Sequence, residues 1–169
     1  MLLLLTLLAL LGSPACWADQ MSEMYGSNKG TFFCTSEHKG EAIKGIRVST
    51  NILGIILNFQ VKFGDSWDDI QGVPGGRAQE LELGSDEYIT EVHGSFLLNL
   101  KYLILCTNWA RCASFGKMVG QNFSAFPKEE DHVLTGICGV HGLIGIKGIA
   151  LKWGSVPLNS TAEENGYPK

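Results

Sequence analysis

The chain of 169 residues lacks most of the signals that mark an enzyme or a metalloprotein. It has no C-x-x-C or H-E-x-x-H, the spacings of common zinc sites, and no D-x-D-x-D-G run to hold calcium. No metal and no cofactor is therefore expected. No serine stands in G-x-S-x-G, and no other catalytic constellation is present, so the protein is not expected to be an enzyme. Basic residues are in the minority, with 13 Lys and Arg against 17 Asp and Glu and a formal charge of −4. That balance offers no evident surface for nucleic acid or heparin-like polyanions. Beyond the first 18 residues there is no long stretch of helical periodicity, which excludes a helical bundle. Nor is there a later run of about 20 apolar residues, the length a membrane-spanning helix requires.

What is present begins with a secretory pattern. Leu2 to Leu11 form an apolar run interrupted only by Thr6, followed by Gly12, Ser13 and Pro14 and then by small residues at Cys16 and Ala18. Such a run is too short to span a bilayer and is followed by a small-x-small cleavage site, so residues 1–18 are expected to be a signal peptide. The segment has no Lys or Arg, leaving its positive charge to the amino terminus. Its removal takes no charged side chain away. The remainder is long enough to bury one core, and its apolar content is that of a globular domain. After Trp153 the chain turns polar and patternless, so residues 154–169 are expected to be a flexible tail.

Cys16 falls within the signal, and Cys34, Cys106, Cys112 and Cys138 remain, an even number in an oxidising compartment. Two disulfides are expected, with three connectivities open. Asn122-Phe123-Ser124 and Asn159-Ser160-Thr161 match the N-glycosylation acceptor pattern, making Asn122 and Asn159 candidate glycan sites.

Between these landmarks the chain consists of short apolar or alternating runs rich in β-branched residues and punctuated by glycine, the pattern of strands joined by tight turns. Strands are expected at Ile46 to Val48, Ile52 to Phe63, Tyr88 to Val92, Leu100 to Cys106, Val133 to Ile137 and Gly145 to Trp153. Turns are expected at Gly64-Asp65-Ser66, from Gly72 to Gly76, at Gly84-Ser85-Asp86 and at Thr107-Asn108. A loose repeat underlies them. Ile43/Ile46, Ile89/Val92 and Leu134/Ile137 share an i, i+3 spacing, and their first members stand 46 and 45 residues apart. Each pair is followed, after a loop, by a second strand. Three such units imply an all-β, three-sided prism, because one small sheet alone cannot bury its apolar face.

The motifs VKFGDSWD (Val61 to Asp68), GVPGG followed by QELEL (Gly72 to Leu83), DEYITEV (Asp86 to Val92), SFGKMVGQNFSAFP (Ser114 to Pro127) and GLIGIKGIALKW (Gly142 to Trp153) stand in an order that resembles the jacalin-related lectins. Within that family they are most similar to the animal zymogen granule and salivary secretory branch. The likeness covers about Met24 to Trp153 and implies a jacalin-like β-prism of three Greek-key sheets with pseudo-threefold symmetry, occupying residues 19–153. It also bears on the cysteines. Cys106 and Cys112 flank five residues at a hairpin tip that can close on itself, and the family fold places Cys34 and Cys138 in one sheet.

The resemblance further implies a sugar site at one end of the prism, held by three loops, the last with a G-x-x-x-D motif. The corresponding stretches nominate Gly26, Asn28, Lys29 and Gly30; Ser95, Phe96 and Asn99; and His141, Gly142 and Lys147. Counted back from Trp153 the aspartate position holds Lys147, and a shift of one residue offers Ile146 or Gly148. Lysine only donates hydrogen bonds and cannot replace a carboxylate that accepts two sugar hydroxyls. The first loop has Ser27-Asn28-Lys29 where a glycine pair belongs. Two outcomes follow: a secreted lectin-like protein of exocrine fluids with an altered site, suited to anionic sugars through Lys147 and Lys29, or an interaction module with a protein receptor and no sugar.

The other polar residues suggest no site. His38, His93, His132 and His141 read as surface or turn residues, and Asp65, Asp68, Asp69 and Glu129-Glu130-Asp131 as solvated turns. Trp67, Phe115, Phe123, Phe126 and Trp153 read as core or turn packing. Trp109, in the turn between Cys106 and Cys112, is expected to be exposed and able to stack on a partner.

Overall fold

The computed structural model describes residues 23–36 and 41–156. The expected signal with its cleavage site and Cys16, His38, Asn159 and the tail from residue 157 lie outside the described residues. Thirteen strands run in chain order: β1 Tyr25–Gly26, β2 Thr31–Cys34, β3 Ile43–Thr50, β4 Ile56–Phe63, β5 Ser66–Trp67, β6 Gln71–Gly72, β7 Arg77–Glu82, β8 Ile89–Leu97, β9 Asn99–Thr107, β10 Cys112–Gly116, β11 Gln121–Ala125, β12 His132–His141 and β13 Ile146–Ser155. β13 continues two residues beyond the expected domain edge at Trp153.

They form three antiparallel sheets with strand orders β10-β9-β8-β11, β5-β4-β3-β7 (with β6 also on β4) and β1-β13-β12-β2. In the first two, a hairpin and its following strand are flanked by a later strand that returns beside the first, the Greek-key order. The third sheet obtains the same order by placing β1 and β2, from the start of the chain, on either side of the β12–β13 hairpin. The inner faces of all three sheets meet in one core, with Ile46 and Phe59, Leu103 and Leu105, and Ile137 and Ile149 wholly buried in it. This is the prism expected from the repeat.

The i, i+3 spacing of that repeat has a physical cause. In a regular strand, inward residues are two apart. Here Ile43 pairs with Phe63 and Gly45 with Lys62, leaving Lys44 as an extra, bulged residue. Thr90 is bulged in the same way between Ile89 and Glu91, and Thr135 between Leu134 and Gly136. Each β-bulge adds one residue to its strand, so the next inward side chain comes three positions on.

Three further bulges lie at the far end of the same hairpins, at Leu57, Lys101 and Lys147, one in each second strand just after the turn. The run Ile52 to Phe63 is thus not one strand. Asn51 to Gly54 form a turn, and the strand begins at Ile56. The aliphatic residues at this tip resemble strand in sequence but face solvent.

The three tips gather at one end of the prism, called here the loop end. Lys101 Nζ donates to Leu53 O at 2.6 Å, joining the β8–β9 region to the β3–β4 tip. A Cβ on Gly145 would stand 2.6 Å from Ile55 Cγ2, so the β12–β13 tip packs on the base of the β3–β4 tip. The circle closes through the β1–β2 loop, which contacts both Phe96 and Lys147.

Both disulfides join residues directly opposite one another in the ladders. Cys34 is bonded to Cys138 across β2 and β12, and Cys106 to Cys112 across β9 and β10. The second bridge sits at the other end of the prism, beside an ion pair between buried Glu87 and exposed Arg111. Arg111 donates through Nε and Nη2 to the two carboxylate oxygens of Glu87 at 2.9 and 2.6 Å. Thr107 Oγ1 and the Gly84 N–H also donate to Glu87, at 2.8 and 3.0 Å. The Arg111 hydrogen bonds, more than any other contact, hold the Glu87 carboxyl down at about 2 despite its burial.

Candidate functional site

The β1–β2 loop, residues 26–30, lies against the β12–β13 hairpin because two of its residues have no side chain. A Cβ on Gly26 would stand 2.5 Å from Lys147 O and 2.7 Å from Phe96 Cε1, and one on Gly30 would stand 2.5 Å from His141 O. Both positions also have positive φ, +87° and +156°, where glycine is favoured. The loop is fastened by the Ser27 N–H, which donates to Lys147 O at 2.9 Å, while Ser27 Oγ accepts from the Lys29 N–H at 3.1 Å. Asn28 and Lys29 project into solvent.

Phe96 covers Gly26 and forms one wall of a pocket of about 320 Å³ lined also by Tyr25, Gln121, Asn122 and Phe123. Tyr25 stacks on Phe123 with ring centroids 4.6 Å apart, and Phe96 lies 5.5 Å from Phe123. Aromatic walls with carboxamides at the rim offer both the apolar face and the hydrogen-bonding groups that a pyranose ring presents to a site. Burial, with Glu23 as a smaller cause, pushes the Tyr25 phenol above its ordinary value, so it remains a neutral hydroxyl. A second, wider trough of about 680 Å³ lies beside the β3–β4 tip, lined by Thr50, Asn51, Ile52, Leu57, Gly76, Arg77 and Gln79.

Of the nominated residues, the structure brings together Gly26, Asn28, Lys29, Gly30, Phe96, His141, Gly142 and Lys147. Two others are withdrawn from the surface. Ser95 is wholly buried, its Oγ accepting from the Val119 N–H at 3.2 Å, and Asn99 is buried at the start of β9. Around the third loop no residue from 139 to 147 is a carboxylate. Ile146 is wholly buried and Gly148 has no side chain. Lys147 reaches the surface as the bulged residue of β13, with its stem lying over Gly142.

Charge at this end differs from the balance of the whole chain. Lys29, Arg77, Lys101, Lys117 and Lys147 all belong to the tips and the loops beside them. Across residues 26–30, 50–57, 72–77, 96–101, 116–121 and 141–148, which make up this end, there is no aspartate or glutamate. The net negative composition therefore conceals a cationic end, and the expectation that no basic surface exists is corrected. Net charge carries no information about position.

Elsewhere the polar residues are engaged structurally. His93 lies 2.9 Å from Ser124 Oγ and 3.1 Å from Glu91, His132 lies 3.2 Å from Glu129, and His141 Nδ1 is 3.0 Å from Gly142 O. Trp67 lies under the Arg47 guanidinium at 4.1 Å. Phe126 is not packed inside but exposed, edge-on to His93. Trp109 is exposed and leans on Gly84 at the end opposite the loops, so it is remote from this site. Sequence reasoning did not identify the Glu87–Arg111 pair, whose members are 24 residues apart with no motif around them.

A three-sheet β-prism with a glycine-dependent loop, an aromatic pocket and polar rim groups at one end defines a carbohydrate-binding class of protein, the prism lectins. The comparisons agree. Residues 22–149 match the model of the jacalin-like lectin domain, and the chain belongs to that family. It is 34% identical over 167 residues to the prostatic spermine-binding protein of Mus musculus, covering 98% of this chain and 81% of that one. It is 33% identical over 144 residues to zymogen granule membrane protein 16 of Homo sapiens, covering 83% of each. Among solved structures it is similar to a prostate-specific WGA16 glycoprotein lectin, with 40% identity, a TM-score of 0.73, and coverage of 80% of this chain and 98% of the other.

Proposed function

We propose that the protein is a secreted, non-catalytic lectin of exocrine fluids whose loop end binds anionic glycans, sialylated or sulfated, in preference to neutral mannose. The observation that carries this reading is the replacement of any carboxylate in the third loop by Lys147, within a set of loops that hold five cations and no acid, Glu23 lying behind them beside Tyr25. A neutral sugar loses its paired acceptor there, and an unpaired hydroxyl or amide in a contact costs about 1 to 3 kcal/mol. An anionic sugar instead gains charge-assisted hydrogen bonds from Lys147 and Lys29. Spermine, named for the mouse relative, is a polycation and is unsuited to this end. On this reading residues 1–18 are removed as a signal, residues 19–153 form the lectin domain, and the polar tail from 154 carries a glycan at Asn159.

A glycan array of the secreted protein, compared with Lys147→Asp, tests the proposal. Wild type is expected to bind sialylated or sulfated glycans and to bind mannose poorly, and the variant to lose the anionic ligands. Strong mannose binding by wild type, or no change in either ligand with Lys147→Asp, overturns it. A receptor pull-down run beside the array separates the alternative of a protein-binding module that takes no sugar.

A further inference from the structure

Each hairpin tip at the loop end carries two adjacent aliphatic side chains in solvent: Ile52 and Leu53, Leu97 and Leu98, Leu143 and Ile144. The pairs recur 45 and 46 residues apart, so the threefold arrangement of the hairpins places one pair at each corner of the prism end. Ile52 is 96% exposed, Leu98 88% and Leu143 95%, far beyond what packing of the monomer requires. Leu98 also holds φ at +63°, a conformation a branched side chain adopts at a cost, and the effect is to project the side chain at the apex of the turn.

We infer that the loop end is a docking surface for an anionic lipid bilayer, with the three aliphatic tips entering the acyl boundary and the five cations resting among the headgroups. Stable peripheral attachment needs two signals, apolar insertion and basic charge, and both are present on one face. Entry into an apolar layer further requires that the tip backbone be hydrogen-bonded internally. It is at the β3–β4 tip, where Asn51 Oδ1 accepts from the N–H groups of Leu53 and Ile55 at 3.0 Å each and Asn51 O accepts from the Gly54 N–H. At the β12–β13 tip the Gly142 N–H donates to Gly145 O at 2.9 Å.

Charge and chemistry choose among the occupants. A second copy meeting this face with its own would oppose five cations to five, with no acid in the apposed loops to pair them. A polyanionic glycan would satisfy the cations but gives six solvent-exposed aliphatic side chains nothing apolar to bury against. An anionic bilayer satisfies both. The inference uses the aliphatic side chains of the tips, which the glycan reading does not, and shares with that reading only the cations.

The test is co-flotation of the full secreted protein with phosphatidylcholine vesicles with and without phosphatidylserine, at low and physiological salt. Wild type is expected to bind only the phosphatidylserine vesicles, more weakly as salt rises. The double substitution Ile52→Ser and Leu53→Ser, at the tip outside the candidate sugar site, is expected to weaken vesicle binding at least about tenfold while leaving glycan-array binding and the melting curve unchanged. In Leu53→Trp and Leu143→Trp the new indole is expected to be quenched by brominated acyl chains, whereas native Trp109, at the opposite end, is not. Failure of wild type to bind these vesicles overturns the inference. So does equal vesicle binding by the Ser double variant, or vesicle binding without quenching, which would mean electrostatic adsorption alone. Capture by heparin in place of vesicles, or a salt-insensitive dimer abolished by the Ser substitutions, would overturn it in favour of a glycan or a second copy.

Discussion

The two ends of the prism are made from the same three hairpins and differ in nearly every physical respect. At the loop end, five cations stand in loops that hold no acid, and aliphatic pairs face solvent. At the other end, Glu87 is buried under Arg111, Thr107 and the Gly84 N–H, and the Cys106–Cys112 bridge closes the adjacent turn. The acids Asp65, Asp86, Glu129, Glu130 and Asp131 also lie in the turns of that end. One end satisfies its polar groups internally, and the other leaves both charge and apolar surface available. Binding surfaces are drawn from the less self-satisfied parts of a fold, because groups already paired have little left to offer a ligand.

The sharpest way to break the comparison is to unfasten the loop end from the body. Cys34–Cys138 ties β2, and with it the β1–β2 loop, to β12 across 104 residues of sequence. Cys34→Ala with Cys138→Ala is expected to cost about 4 to 5 kcal/mol in the chain-entropy model. Removal of Cys106–Cys112, spanning 6 residues, is expected to cost about 2 kcal/mol. Denaturant unfolding of the two double variants measures both values, and equal losses would contradict the ranking.

Next in size is Glu87→Gln, which removes the charge of the buried carboxylate at the paired end and is expected to cost about 2 to 3 kcal/mol at neutral pH. Its pH dependence follows from the sign of the shift. The carboxyl titrates at about 2 in the folded protein, below its ordinary 4.5. Its contribution is therefore complete above about pH 4.5 and disappears as pH falls toward 2. The stability difference between wild type and Glu87→Gln should shrink over that window, and a difference constant down to pH 2 would show that the carboxylate charge is not the source.

Two smaller effects concern the loop end. Asn122 is exposed on β11 at the rim of the aromatic pocket, so a glycan attached there stands over Gly26 and Phe96. In protein that carries a glycan at Asn122, Asn122→Gln should therefore strengthen glycan binding by a few-fold, about 1 kcal/mol, measured by titration on any ligand the array identifies. Leu98→Asn should raise stability by roughly 1 kcal/mol, because asparagine tolerates the left-handed conformation and little packing is lost. An unchanged urea midpoint would mean that the turn carries no strain.

Much of this arrangement was legible in the chain. The i, i+3 pairs at Ile43, Ile89 and Leu134 located the three hairpins, and the structure adds that the odd spacing records a bulge. β1, β5 and β6 were not legible, since two-residue strands have no period to detect, and neither were β7 and β11, edge strands that bury one side chain each. The tip at Ile52 and Leu53 was misread because aliphatic residues in a turn look like strand until solvent exposure is known. Of the nominated residues, the glycines and lysines lie together at the loop end, whereas the burial of Ser95 and Asn99 could not be read from sequence. A polar side chain beside a loop can face inward or outward, and only the register of β8 on β9 decides which.

The separation of charge along the prism gives the molecule an electric dipole that its net charge of −4 does not reveal. Far from a negatively charged surface, beyond about a Debye length, the protein is weakly repelled as a whole. Nearer, the field acts on the two ends separately and exerts a torque that turns the lysines forward. Encounters then become productive mainly in one orientation, and the rate of capture falls with ionic strength faster than the net charge would suggest.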